Sequence, residues 1–381
     1  MTQANTRAGG AGEREGSPLA SWRAGRGRRP RLAKRAAGEG EGGRRLFAGL
    51  LFLAAAATWL PIQTPSTSEL RGLSVLDATH AWASGSGGTV LHTRDGKTWE
   101  KLPPPSGGAA LDFRDVEALS ATSVVLMSAG PGDASRIFRS KDGGATWTLA
   151  HTNPEKDGFY DAIAFFDAKD GFVLGDPVNG KFRIRTTHDG GATWALDPGQ
   201  VMPAAWEGEG AFAASGTCLF GLKGGNDAWF VTGGAKEARV FHTIDRGRTW
   251  TVASTPGPAG NASSGLFSVA FLDAKRGFVA GGDYKQPQFK GLNGIRTEDG
   301  GATWSPAPLS ATGFYSAVVP VPGAKDDLVA VGLAGEAVSY DAGRTWTKTG
   351  ETPMNAASFI SPMTGWAVGP KGTALGYAAV R

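Results

Sequence analysis

Six aspartates recur in almost the same short phrase: "TRDGKTW" holds Asp95, "SKDGGATW" Asp142, "THDGGATW" Asp189, "TIDRGRTW" Asp245, "TEDGGATW" Asp299 and "SYDAGRTW" Asp341. A carboxylate beside hydroxyls could serve as a nucleophile or a general acid. Six equivalent copies would then demand six active sites. The same residue types have a structural use. Asp accepts hydrogen bonds from turn N–H groups, Gly supplies the positive φ, Ser or Thr adds a hydroxyl, and Trp buries a large ring. We therefore expect Asp95, Asp142, Asp189, Asp245, Asp299 and Asp341 to pin turns. Trp99, Trp147, Trp194, Trp250, Trp304 and Trp346 should pack against neighbouring units. The first copy has one residue fewer between Asp and Trp, so its turn must close differently.

These turns need elements to hold them. The six tryptophans are separated by 48, 47, 56, 54 and 42 residues, a spacing that points to propeller blades. Each unit divides into four short strands, as in "LRGLSVLD", "HAWASG", "TVLHTRDG" and "TWEKL". The repeated turn then joins the third strand to the outer one. A seventh unit, "NAASFIS", "GWAVG" and "GTALGYA", lacks an outer strand, and "TWLPIQT" at 58–64 has the matching pattern. The expected fold is an all-β, seven-bladed β-propeller of four-stranded antiparallel blades. Its N-terminal strand should pair with the C-terminal blade and remove an open edge.

Residues that do not repeat are the better candidates for function. Aligning the inner strands by eye puts Arg71, Arg114, Tyr160, Phe212, Phe267, Tyr315 and Asn355 in one register. Gly72, Asp115, Asp161, Ala213, Ser268, Ser316 and Ala356 follow them. This places arginines, tyrosines and aspartates around a channel mouth on the face opposite the repeated turns. Longer loops add Asp176, Trp206, Glu207, Glu209, Asp283, Tyr284 and Lys285. The binding set is Arg71, Arg114, Asp115, Tyr160, Asp161, Asp176, Glu207, Glu209, Asp283, Tyr284 and Tyr315. Arginines at such a mouth suit an anionic ligand or an acidic partner segment.

The repeated phrase resembles the Asp-box of bacterial neuraminidase repeats. Residues 58–381, with "HAWASGSGGTVLHTRDGKTWE", "DGFVLG" and "GWAVGPKGT", resemble the photosystem II stability/assembly factor propellers and their bacterial relatives. That resemblance implies an exported propeller that binds membrane-protein partners during assembly, with no established catalysis. A sialidase-like or other glycoside hydrolase is the competing expectation. Tyr315 would be its nucleophile, Glu207 or Glu209 its partner, and Asp115 or Asp161 its acid/base. Against it, Arg71 is followed by Gly72 rather than Ile-Pro, and no third arginine falls in register. Arg183 and Arg185 lie in a third strand.

Composition bounds the partners. Residues 1–45 carry 11 Lys/Arg against 4 Asp/Glu, which leaves 28 against 31 for the remainder. The body is thus close to neutral, and we expect no nucleic-acid partner. Residues 1–43 are Gly/Arg-rich and expected to be disordered, as a long leader or an upstream extension from a misplaced start codon. Residues 44–57 end a basic segment and open the apolar run "LFAGLLFLAAAATWL", the core of a signal peptide or anchor. Cleavage after Ala57 would begin the mature chain near Thr58. "RRLF" also has the twin-arginine outline. The expected location is periplasmic or extracellular, with anchoring if the run stays uncleaved. Residues 58–381 form the propeller, expected to be a monomer. The single cysteine, Cys218, reads as a buried small hydrophobe. No metal or other cofactor is expected: "GSGGTVL" joins two strands rather than the strand and helix that dinucleotide binding needs.

Overall fold

The computed structural model describes residues 57–379. The expected tail and most of the signal core lie outside them. The described chain forms seven four-stranded antiparallel sheets with consecutive strands as neighbours, apart from the last sheet. The inner strands are Leu70–Val75, Asp112–Ala118, Tyr160–Phe165, Leu219–Gly221, Ser264–Phe271, Ala317–Pro320 and Ala356–Ser361. We number the blades one to seven in that order.

The closing strand is Ala57–Ile62. It pairs with the third strand of blade seven, Ala374–Ala379, from Ala57 opposite Ala379 to Ile62 opposite Ala374. Trp59 meets Tyr377 and Phe359 edge to face, with ring centroids 5.0 and 5.6 Å apart. The N-terminal strand therefore supplies the outer strand that blade seven lacks.

The core runs around the ring between blades. Trp82, Val90 and Leu102 of blade one pack with Phe113, Val116 and Leu126 of blade two. Trp229 of blade four stacks on Phe271 of blade five at 3.6 Å between centroids. Leu70 and Trp99 of blade one join Trp366 and Val368 of blade seven. The second strands of blades one, two, four, five and six are buried along their whole length, which is why their residues are mostly apolar or glycine.

The repeated turns share one hydrogen-bond pattern. Asp142 Oδ1 accepts the Thr146 N–H at 2.8 Å and the Ser140 hydroxyl at 2.7 Å, and Oδ2 accepts the Thr146 hydroxyl at 2.5 Å. The Ser140 hydroxyl oxygen also accepts the Gly144 N–H at 2.8 Å. Asp189, Asp245, Asp299 and Asp341 repeat it with Thr193, Thr249, Thr303 and Thr345. At Asp95, one residue short, Oδ1 instead takes the N–H groups of Lys97 and Thr98, at 2.8 and 2.7 Å. Gly144 has φ +97°, and a Cβ there would come within 2.6 Å of Leu102 in the preceding blade. Second-strand tryptophans complete the joint. The indole N–H groups of Trp82, Trp229 and Trp366 donate to Gly143, Gly300 and Gly96, each in the turn of the next blade.

The Thr146 hydroxyl and N–H hold the Asp142 carboxyl at about 2, and the Thr303 hydroxyl leads the same effect at Asp299, also about 2. A carboxyl held below its ordinary 3.8 in the folded protein favours unfolding once protonated. This part of the stability is complete above pH ~4 and is lost as pH falls toward 2. Asp142→Ala should cost about 1 kcal/mol in urea unfolding at pH 7. The deficit should shrink as the acid limb is entered. A deficit that stayed constant down to pH 2 would show that the carboxylate does not hold the turn.

Candidate functional site

Where the inner strands begin, the channel opens into a cavity of about 600 Å³. Phe159, Phe212, Phe267, Phe314 and Leu333 make it largely aromatic, while Arg71, Arg114, Asp161, Asp176 and Asn355 bring polar groups. Four inner strands reach it through a β-bulge at one shared position. The ladder shifts between Leu70 and Gly72, Phe113 and Asp115, Tyr160 and Ala162, and Leu266 and Ser268. The extra residue in each is Arg71, Arg114, Asp161 or Phe267, and all four line the cavity. A bulge re-aims the side chain it carries.

This geometry corrects the expected ring in three blades. In blade three the bulge residue is Asp161, not Tyr160. Tyr160 is fully buried, and its hydroxyl accepts Arg185 Nε at 3.0 Å. In blade six the expected Tyr315 is also fully buried, 3.1 Å from the Ser310 hydroxyl, and Ser316 takes the matching place. The backbone makes the register explicit. The N–H groups of Leu70, Leu266, Tyr315 and Met354 each donate to the preceding blade. A one-residue slip sends a side chain to the opposite face. Aligning the large buried residue before the bulge, rather than the polar residues, would have found Asp161.

In blade four, Phe212 and Ala213 are not on the inner strand. Residues 211–217 instead cross the channel. Arg114 Nη1 donates to the Ala213 carbonyl at 2.7 Å, Arg71 Nη1 to Ala214 at 3.4 Å, and the Ser215 hydroxyl to Ser316 at 2.7 Å. Phe212 stacks on Phe267 at 4.0 Å between centroids. The crossing separates the mouth from a second cavity of about 410 Å³ on the side of the repeated turns. Asp115 belongs to that second cavity, not the mouth. Its oxygens accept the N–H groups of Val116 and Ile163 at 2.8 and 2.7 Å, the second of which ties blade two to blade three.

The loop residues have separate fates. Glu209 is buried and ion-paired with Arg239, and also accepts the Thr232 hydroxyl at 2.7 Å and the Trp206 N–H at 2.9 Å. Its carboxylate is fully engaged. Glu207 is exposed and absent from the cavity lining. Asp283 is buried and holds its own loop through the Lys285 N–H at 3.0 Å and the Gln286 amide at 2.8 Å. Tyr284 is half-exposed on the cavity rim. Arg183 and Arg185 both pair with Glu155. Cys218 is buried, and its burial pushes the thiol pKa up.

Arg114 is paired with Asp112 at 2.6 Å, whereas Arg71 has no ion pair among the described residues. Burial and the adjacent Arg114 charge lower the Arg71 pKa. Across the cavity, burial and the Asp176 charge push Asp161 well above the usual carboxylate range, although Arg114 opposes them. Burial raises Asp176 to about 6. Glu69 also lines the cavity and its charge acts on Arg71, so the mouth combines two arginines with neighbouring acids, the Asp161 and Asp176 carboxyls, and an aromatic wall.

No family model matches the sequence. The photosystem II assembly protein Ycf48 of a Synechococcus species is 22% identical over 292 residues, spanning 58% of this chain and 86% of that protein. The protein of the same name from Thermosynechococcus vestitus is 23% identical over 294 residues, spanning 65% and 74%. A solved structure of YCF48 bound to a D1 peptide has a TM-score of 0.60 and 18% identity, covering 84% of this chain and 97% of that one. The chain resembles the Ycf48 assembly proteins in sequence and in fold. YCF48 from Cyanidioschyzon merolae gives a TM-score of 0.58 with 18% identity, covering 85% of this chain and 99% of that one. A GH74 xyloglucanase from Xanthomonas campestris also scores 0.58, at 16% identity, covering 84% of this chain and 53% of the enzyme. At these identities the structural likenesses to Ycf48 and to the xyloglucanase alike show a common propeller fold.

Proposed function

We propose that the protein is an exported, non-catalytic scaffold that binds a segment of a protein partner in the mouth cavity, as an assembly or stability factor. The observation that carries this reading is Arg71, a partly buried guanidinium without an ion pair among the described residues, beside Arg114 and an aromatic wall. A carboxylate entering there gains charge-assisted hydrogen bonds and offsets the repulsion between the two arginines. The likeness to Ycf48, one structure of which holds a D1 peptide, supports a peptide as ligand. Export rests on the basic segment followed by the apolar run at 46–60.

Affinity purification of the exported form, with mass spectrometry of what it retains, tests this. Arg71→Ala with Arg114→Ala should weaken capture of the native partner at least tenfold, since each charged hydrogen bond contributes about 1.5–3 kcal/mol. Unfolding should stay cooperative. Undiminished capture by the double variant would refute the cavity as the binding site.

The glycosidase alternative draws support from the xyloglucanase fold likeness. Of its expected residues, the nucleophile Tyr315 is buried against Ser310 and Glu209 is paired with Arg239, so Asp161 in the cavity wall has neither beside it as a partner. Turnover of xyloglucan or a sialoside by the purified protein would displace the scaffold reading.

A further inference from the structure

The bulge of blade three delivers a carboxyl group with no evident structural task. Asp161 is 1% exposed, and neither of its side-chain oxygens has a hydrogen-bond partner. Buried carboxyls are ordinarily paired or hydrogen-bonded, because leaving them unmet costs stability. Asp115, the buried aspartate one blade earlier, illustrates the rule with two backbone N–H donors. Asp161 departs from it at the wall of an open cavity.

Asp176 stands beside it on the same blade. The carboxyl of Asp176 accepts the Ala211 N–H at 2.9 Å through Oδ1, which fixes it against the crossing segment. The charge of Asp176 works against an ionised Asp161, and the opposing charge is that of Arg114, already committed to Asp112 and the Ala213 carbonyl. A donor arriving from outside would satisfy Asp161 and relieve the acidic pair together.

Resting on the reading of the mouth as a peptide site, we infer that Asp161 and Asp176 form a subsite for the ammonium group of a lysine in the bound segment, with its acidic group held by Arg71. The occupant is therefore a two-signed peptide, with acid and lysine close in sequence and apolar atoms between them against the phenylalanines. A cavity of about 600 Å³ has room for a few residues. The arginines alone would accept any anion. The acidic side adds discrimination, because a segment lacking the cation leaves Asp161 unmet.

The test uses fluorescein-labelled hexapeptides with one aspartate and a lysine one to four residues away, each matched by a norleucine version. Binding to the full propeller is followed by fluorescence anisotropy. In at least one register the lysine peptide should bind tenfold or more tightly than its norleucine match. Asp161→Asn should reduce that ratio to within about twofold, as the ammonium then loses its charged acceptor. Arg71→Ala should weaken both peptides of the pair alike. Asp161→Asn should melt no lower than the native protein, since it removes an unmet buried acid. If it fails to fold, Asp176→Asn, at a half-buried position, should reduce the same ratio. Equal binding of lysine and norleucine peptides in every register would overturn the subsite while leaving the peptide site standing. So would a lysine advantage that persists in the folded aspartate variants. Failure of every peptide to bind would overturn both readings.

Discussion

Removing the closing strand should cripple the propeller. A chain starting at Ser66 loses the six-residue ladder of Ala57–Ile62 against Ala374–Ala379, together with Trp59 between Phe359 and Tyr377. Trp59 is partly buried, so its loss alone costs about 1–3 kcal/mol, to which the lost ladder adds. Whole domains are stable by only about 5–15 kcal/mol. The melting temperature should fall by roughly 10 °C or more relative to a chain starting at Ala57. The bared edge, carrying Leu375 and Tyr377, should also promote aggregation in size-exclusion chromatography. A synthetic peptide of residues 57–66 added in excess should recover part of the loss, because a segment that binds only the folded state stabilises it. Equal melting of the two chains would disprove the structural importance of this closure.

The second large effect is expected at Glu209. Arg239 Nε donates to Glu209 Oε1 at 2.8 Å, and a second guanidinium nitrogen reaches Oε2. The same guanidinium lies over Trp206 at 4.1 Å and Phe241 at 4.9 Å. Glu209→Ala strands a buried cation, which costs about 3–5 kcal/mol. Replacing both partners by methionine should cost much less than either single removal, since two apolar side chains leave no charge unmet. The check is urea unfolding of the two single variants and the double variant. Peptide binding at the mouth should survive in whatever fraction remains folded. If Glu209→Ala kept full stability but lost the ligand, Glu209 would return to the binding set.

Glu209 shows why loop residues were hard to assign from the chain alone. Its partner Arg239 lies 30 residues on, in the third strand of blade four. An acidic residue in a long loop looks the same in sequence whether it meets a ligand or a buried arginine. Tyr160 and Tyr315 were misplaced for a different reason. Their polar ends made them look like channel residues, yet each hydroxyl finds a partner inside the blades. Arg71 and Arg114 were placed correctly because their inner strands share both spacing and bulge.

The amino-acid sequence by itself determined the seven blades, the pinned turns and the strand that completes the last blade. Those features depend on local patterns: alternation along strands, glycine where φ is positive, and a Thr-Trp start repeated at Thr58-Trp59. Such patterns lie within a few residues of one another and survive without knowledge of the fold. Only the tertiary structure decided what occupies the channel. The crossing of residues 211–217 rests on contacts with chain positions about a hundred residues away, Arg114 to Ala213 and Ser215 to Ser316. The place of Asp161 in the cavity wall rests on a one-residue bulge. A bulge changes which face a side chain takes without leaving a distinct local pattern, so the polar lining of the mouth became visible only when the blades were set around their axis.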